Sequence, residues 1–400
     1  MLPVVLVTSV SPELAAAAFE RLLSRSGTVG ISYADSPLRR VIHTSSEVVE
    51  LRDVEPESDC AACAIASDAL AATTLLADLD RWAGLVICLP TAMAADGLVA
   101  RLDSTDAETG ATYVRSVLVV VDAATVRDDL GGDALLDERG LASSDCDRRS
   151  VAEAIVAQVE YADTLLLSGI EDARVPEPET QLVQELLARL NPGARSTTCS
   201  ELPDVAAPSR SPRSRAAFDV AAARARVEPG VISAPLRDTA YGVTTVVWRA
   251  VRPMHPGRLR AALTDLVDGV ARSRGRLWLA NRPTQMLAWE SAGGSASLGV
   301  LGSWLADTAT QDWGQLPTAL RASAALDWDD LVGDRCCELS LTGTLPDPGR
   351  LRERLESCLL DDVEYGAGPA SWTDIADPFV DALGLAAVLL PYGVPAQEWR

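Results

Sequence analysis

The sequence predicts an α/β chain: a parallel, doubly wound sheet followed by a smaller second domain. Three observations predict it. Continuous apolar runs alternate with helical patterns from residue 3 to about residue 190, as in strands buried on both faces. The composition turns rich in Pro, Ser and Arg near residue 200. Strand-like and helical segments resume from Gly242. At 400 residues and 42.3 kDa the chain also exceeds what one small core can organise.

Residues 3–8 form a β-branched run, read as a buried strand. Ser11-Pro12-Glu13 then supplies an N-cap, a proline at the first helical position and an acid in the first turn. The helix continues through Leu14, Phe19, Leu22 and Leu23. Further strands are expected at 28–33, 85–89, 117–122 and 164–167, with helices at 66–79, 94–101, 151–161 and 180–190. The stretch 202–227 carries three prolines and five arginines and reads as part of a linker. In the second domain a strand is expected at 243–250 and a helix at 256–272. Strands near 276–280, 285–291 and 337–342 and a helix at 348–358 follow. The expected boundaries are 1–200, a linker 201–240, 241–385 and a tail 386–400.

Composition excludes several chemistries. All 35 basic residues are arginine. A chain without lysine has no phosphate-loop lysine, no Schiff base, no pyridoxal-phosphate anchor and no lysine general base. With only His43 and His255, a three-histidine metal site is excluded. The net charge of −22 repels phosphate backbones, so direct nucleic-acid binding is not expected. No run approaches 18 consecutive apolar residues, and the first residues lack a basic n-region. A cytoplasmic chain with no membrane span is therefore expected. Its eight cysteines read as free thiols or metal ligands.

A phosphate-binding loop would lie after the first strand. It needs glycines, so that backbone N–H groups can approach the phosphates, plus a lysine and a Ser/Thr for magnesium. The turn here, Thr8-Ser9-Val10-Ser11-Pro12-Glu13-Leu14-Ala15-Ala16, has neither glycine nor lysine, and Glu13 would set a negative charge against an anion. Cys60 and Cys63 form C-x-x-C before a helix. That spacing suits two thiolates on one zinc, a redox pair, or two small buried residues. Cys88 ends a strand and is either a core thiol or a third ligand, with Glu57 and Asp59 as carboxylate alternatives.

The chain resembles the CobW-like family of P-loop GTPases and metallochaperones. Ser9 stands where that family has the first loop glycine, Leu14 the second, Ala15 the lysine and Ala16 the Ser/Thr. Asp59-Cys60-Ala61-Ala62-Cys63 matches its G-C-x-C-C element with two of three cysteines. Cys88-Leu89-Pro90-Thr91 replaces E-T-T-G, and Ser168-Gly169-Ile170-Glu171 replaces N-K-x-D. Gln158-Val159-Glu160-Tyr161-Ala162-Asp163 keeps Q-x-E-x-A-D. Later matches are stronger: Arg252-Pro253-Met254-His255-Pro256, Arg274-Gly275, Trp278-Leu279-Ala280-Asn281-Arg282-Pro283 and Gly333-Asp334-Arg335. The resemblance implies a degenerate P-loop-like domain with no catalytic residue and GTP unlikely to bind. It implies a smaller α+β CobW C-terminal-type domain, and zinc held by Cys60 and Cys63 with Cys88 as candidate third ligand. A narrower resemblance, to actinobacterial members lacking the loop lysine, implies a non-enzymatic adaptor in zinc starvation. Its partners would be the ribosome (30S) and a hibernation-promoting factor; a zinc metallochaperone with weak GTP binding is the alternative.

Overall fold

The computed structural model describes residues 1–34, 38–55, 61–142, 147–202, 205, 217–232, 238–308, 313–314 and 318–379. Two compact units divide the chain, Met1–Val227 and Glu228–Arg400.

The first unit is built on an eight-stranded sheet. Its strands are β1 (Leu2–Thr8), β2 (Thr28–Ala34), β3 (Arg39–His43), β4 (Val48–Asp53), β5 (Gly84–Cys88), β6 (Thr112–Asp122), β7 (Thr164–Ser168) and β8 (Arg195–Thr197), in the order β4-β3-β2-β5-β1-β6-β7-β8. Strands β2, β5, β1, β6, β7 and β8 run parallel, and β3 and β4 form an antiparallel hairpin beyond β2. Alternate side chains of the parallel strands feed two separate cores. Val5, Val7, Val86 and Val120 pack with Phe19 and Leu22 of α1 (Pro12–Leu23). Val4, Leu6, Leu85 and Ile87 pack with Ala69 and Leu76 of α2 (Ala61–Asp78) and Leu98 of α3 (Asp96–Thr109). Burial on both faces is why these strands read as unbroken apolar runs.

Helix α4 (Val126–Gly131) precedes α5 (Val151–Tyr161), which occupies its expected span and opens on a Ser150/Glu153 capping box. After β7, α6 (Glu177–Leu190) leads to β8. By length and composition alone α2 passes the test for a membrane-crossing helix. It is instead a packing helix: Asp68 at its middle holds Arg40 of β3 at 2.6 Å, and seven of its residues are buried.

The expected linker is not extended throughout. Residues 220–227 form α7, and Phe218 and Ala223 are buried in the first unit's core. Arg226 donates to the carbonyls of Glu160 and Ala162 at 3.3 and 3.2 Å. Phe218 and Ala223 supply the apolar contacts that a reading for prolines and charge overlooks. Most of residues 203–216 lie outside the described residues.

The second unit carries a six-stranded antiparallel sheet. Its strands are β9 (Thr239–Ala240), β10 (Val243–Ala250), β11 (Val270–Leu277), β12 (Gln285–Ala292), β13 (Ser295–Ser303) and β14 (Cys337–Gly343), ordered β13-β12-β11-β14-β10-β9. Helices α8 (Pro256–Val267) and α10 (Pro348–Ser357) place Leu259, Leu266, Leu351 and Leu355 in its core, with α9 (Thr318–Asp327) between β13 and β14. The helix expected to reach residue 272 stops at Val267: Gly269 at φ +71° turns the chain and β11 begins. The last described residues are anchored to this unit: Asp377 pairs with Arg282 at 2.5 Å and Phe379 is buried.

Candidate functional site

The carboxyl edge of the first sheet is where an open α/β fold binds ligands. Here the edge is closed by its own side chains. Thr8 and Ser9, at the end of β1, are both buried. Thr8 Oγ1 donates to the Met93 carbonyl at 2.6 Å and accepts from Gln158 Nε2 at 2.8 Å. Gln158 also reaches the Met93 carbonyl, at 3.1 Å. Ser9 Oγ donates to the Val120 carbonyl at 2.7 Å and accepts from the Ser11 amide at 3.0 Å.

The start of α1 is equally occupied. Ser11 is its N-cap, accepting the Leu14 amide at 3.4 Å. The Ala15 amide already bonds the Ser11 carbonyl at 3.1 Å. The amides of residues 11, 14 and 15 are thus taken by hydroxyls or by the helix. An incoming phosphate would have to displace them without a lysine to compensate. Of the four residues at the loop positions, Ser9 and Ala15 are buried, Leu14 is half-buried and Ala16 is exposed.

The loop after β5 is tied to this plug. The Ala92 amide donates to the Ser9 carbonyl at 3.0 Å, and Ala92 adopts φ +59°, an unusual region for a residue with a Cβ. Arg149 Nη1 donates to the Ala92 carbonyl at 3.2 Å while Asp147 grips the guanidinium in a two-point contact of 2.9 and 2.7 Å. Sequence reasoning named Gln158 only as part of a motif and missed Arg149 and Asp147 altogether. Their signal is a long-range contact, absent from local spacing.

Beside the plug is a cavity of about 230 Å³, lined by Ser9, Ser11, Asp122, Asp129, Arg139 and Gln158 among others. Arg139 is held by Asp129 at 3.0 Å, so the polar rim is on balance acidic. At the guanine-reading position, Glu171 accepts from the Ser200 amide at 2.9 Å and from its hydroxyl, and these bonds lower its carboxyl pKa. Asp163 accepts from Ser116 and the Val117 amide at 2.8 and 2.7 Å, bracing the turn from α5 to β7.

The thiols divide in character. Cys63 is exposed on the first turn of α2, whereas Cys60, Glu57 and Asp59 lie outside the described residues. Cys88 is half-buried, and burial pushes its thiol up to about 11, so it keeps its proton at neutral pH. Among the described residues no three His, Cys, Asp or Glu side chains converge on one point. Tetrahedral zinc takes three or four ligands, so a zinc site there would need Cys63 joined by residues from 57–60.

In the second unit the resemblance motifs build structure. His255 caps α8, its Nδ1 accepting the Gly257 and Arg258 amides at 3.0 and 3.3 Å. Buried Asp334 accepts the Leu305 and Ala306 amides, both at 2.9 Å. A Cβ on Gly275 would sit 1.9 Å from the Glu338 carbonyl oxygen, so only glycine fits that crossing of β11 and β14. Cys336 and Cys337 are fully buried, and Cys337 Sγ accepts the Trp278 amide at 3.4 Å.

A largely parallel α/β unit followed by an antiparallel α+β unit defines the class. Residues 243–359 match the cobalamin synthesis protein cobW C-terminal domain. A zinc chaperone of Mycobacterium tuberculosis is 32% identical over 380 residues, covering 90% of this chain and 88% of that protein. The zinc-regulated GTPase metalloprotein activator 1 of Dictyostelium discoideum is 27% identical over 346 residues, 81% of this chain and 70% of that one. A crystal structure of Zn(II)-bound YjiA GTPase from E. coli aligns with 90% of this chain and 99% of its own, at 14% identity and a TM-score of 0.34. The chain belongs to the CobW-like family.

Proposed function

We propose that this chain is a CobW-like protein of zinc homeostasis whose nucleotide site has decayed, working without catalysis as an adaptor during zinc starvation. One observation carries the reading. The amides that would cradle a phosphate are bonded to Ser9, Ser11 and the helix itself, in a chain that has no lysine. Phosphoryl transfer depends on a lysine or metal clamp on the phosphates, and neither the lysine nor the loop Ser/Thr is at its position. The names of the relatives, a zinc chaperone and a zinc-regulated activator, support the link to zinc. Zinc would be held reversibly by Cys63 with Cys60, and Cys88 is the weaker candidate because its buried thiol holds its proton.

The partners implied are the ribosome (30S) and a hibernation-promoting factor. A net charge of −22 favours a protein surface over bare RNA as the contact. Sucrose-gradient sedimentation of cells grown with and without zinc tests this. The chain is expected with ribosomal subunits only under zinc limitation, and its absence from them in both conditions rejects the adaptor role. Magnesium-dependent binding of a fluorescent GTP analogue at micromolar concentration would instead favour the metallochaperone alternative.

A further inference from the structure

Strand β4 is an edge strand with an unusual surface. Val48 and Val49 are each 57% exposed and Leu51 is 58% exposed, three large apolar side chains within six residues. Natural edges are commonly blunted by lysine, proline or charge; this one has no lysine or proline and carries charges of both signs, Glu50, Arg52 and Asp53. Its partner on one side is β3, with Arg39 opposite Asp53, Arg40 opposite Arg52, Val41 opposite Leu51 and Ile42 opposite Glu50. Among the described residues no strand pairs with its other side.

The hydrogen-bond parity of β4 is fixed. The Val54 amide donates to the Leu38 carbonyl at 2.9 Å, one step beyond the Arg39–Asp53 pair. Bonded and non-bonded pairs alternate in an antiparallel ladder. Arg52 and Glu50 therefore bond inward to β3, and the backbone groups of Leu51 and Asp53 point outward. An antiparallel strand of the same sequence must set outward residues against outward residues, which leaves three registers of long overlap. Centring on Glu50 opposes two carboxylates, and centring on Arg52 opposes two guanidiniums. Centring on Leu51 sets Leu51 against Leu51 and pairs Glu50 with Arg52 twice, once on each side of the two-fold axis. Arg52 is exposed and makes no ion pair or side-chain hydrogen bond with the described residues, so it is available. Glu50 already meets Arg40 at 2.5 Å through Oε1, which leaves Oε2 for the second cation.

We infer that β4 is a homodimer interface, joining two copies of this chain edge to edge about a two-fold axis at Leu51. The occupant is a second copy because the strand complements itself in charge and hydrogen-bond parity in that register alone. Association adds a backbone ladder, an apolar Leu51 contact and two ion pairs.

Sedimentation velocity of the full chain over a concentration series is expected to move from 42.3 kDa toward twice that mass. Leu51→Pro removes an N–H that β3 does not use, so circular dichroism should be unchanged while the dimer disappears. Arg52→Glu, an exposed change, should weaken association at least about tenfold by opposing like charges. Under oxidising conditions Leu51→Cys should cross-link two copies, since opposed Cα atoms about 5.5 Å apart lie in disulfide range, whereas Val49→Cys should not. A wild-type chain that stays monomeric throughout overturns the inference, including the case where another protein's strand covers this edge. So does a Leu51→Pro or Arg52→Glu variant that associates like wild type, or cross-linking as efficient through residue 49 as through residue 51.

Discussion

The loop of residues 8–16 and the crossing at Gly275 answer the same question in opposite ways. In the first unit the turn after β1 has no glycine, and Ser9 and Gln158 bond the Val120 carbonyl and Thr8 across the end of that strand. In the second unit the motif glycine persists because a neighbouring backbone fills the space a side chain would need. A turn can take a serine where hydrogen-bond partners receive its hydroxyl; a backbone crossing with no room for a Cβ takes only glycine. The two units therefore differ in what their motif residues serve.

The largest expected effect tests the second unit. Gly275→Ala places a Cβ against the Glu338 carbonyl, and the strands must separate to admit it. A loss of roughly 3 kcal/mol or more is expected, as for severe overpacking of a core. Thermal unfolding reads it; a midpoint within a degree of wild type would break the comparison. Next is Asp334→Ala. It strands the buried amide of Leu305 and the half-buried amide of Ala306, which now bond a carboxylate, at an expected cost of about 2–3 kcal/mol. Full stability in that variant would show that the Gly333-Asp334-Arg335 element serves something other than this cap.

A smaller effect sharpens the first unit. Ser9→Gly restores the family's glycine but removes the bonds to the Val120 carbonyl and the Ser11 amide. The chain should lose about 1–2 kcal/mol and gain no GTP binding, because the Leu14 amide stays capped and no lysine is added. A fluorescent GTP analogue that binds this variant with magnesium would show that the serine alone shut the site.

Much of this was legible in the sequence. Strands at 164–167 and 243–250 and the helix at 151–161 were placed within a residue of their ends, because burial on both faces or a strong cap marks them. The β3–β4 hairpin was not seen. Its strands are short, mix charged and apolar residues without a clean alternation, and depend on Arg40 finding Asp68 on a helix 28 residues away. The loop positions Ser9, Leu14, Ala15 and Ala16 were located by counting, but the bond that holds the strand end before them comes from Gln158, 150 residues beyond Thr8. Local periodicity sees caps and buried faces; it does not see the partner that makes a substituted loop stable.

The smallest effect concerns pH and again separates the units. Burial alone would raise the Asp327 carboxyl, but hydrogen bonds from Arg249 and Arg276, and their charges, outweigh it and hold the pKa below the ordinary value of 3.8. A depressed folded-state pKa means the unfolded chain binds the proton first. The stability this carboxylate contributes is present above the unfolded value and is lost as pH falls through the folded one. Asp163 in the first unit works the other way: its burial outweighs the bonds from Ser116 and Val117, so its pKa is raised. Folding then favours the protonated form, and its contribution is fully present below the unfolded value and fades as pH rises through the folded one. Asp327→Asn should therefore flatten the acid limb of the second unit's unfolding below about pH 4, while Asp163→Asn leaves that limb unchanged. Hydrogen exchange followed separately in the two units between pH 5 and pH 3 measures both, and an acid limb insensitive to Asp327→Asn would place the second unit's acid sensitivity on other carboxylates.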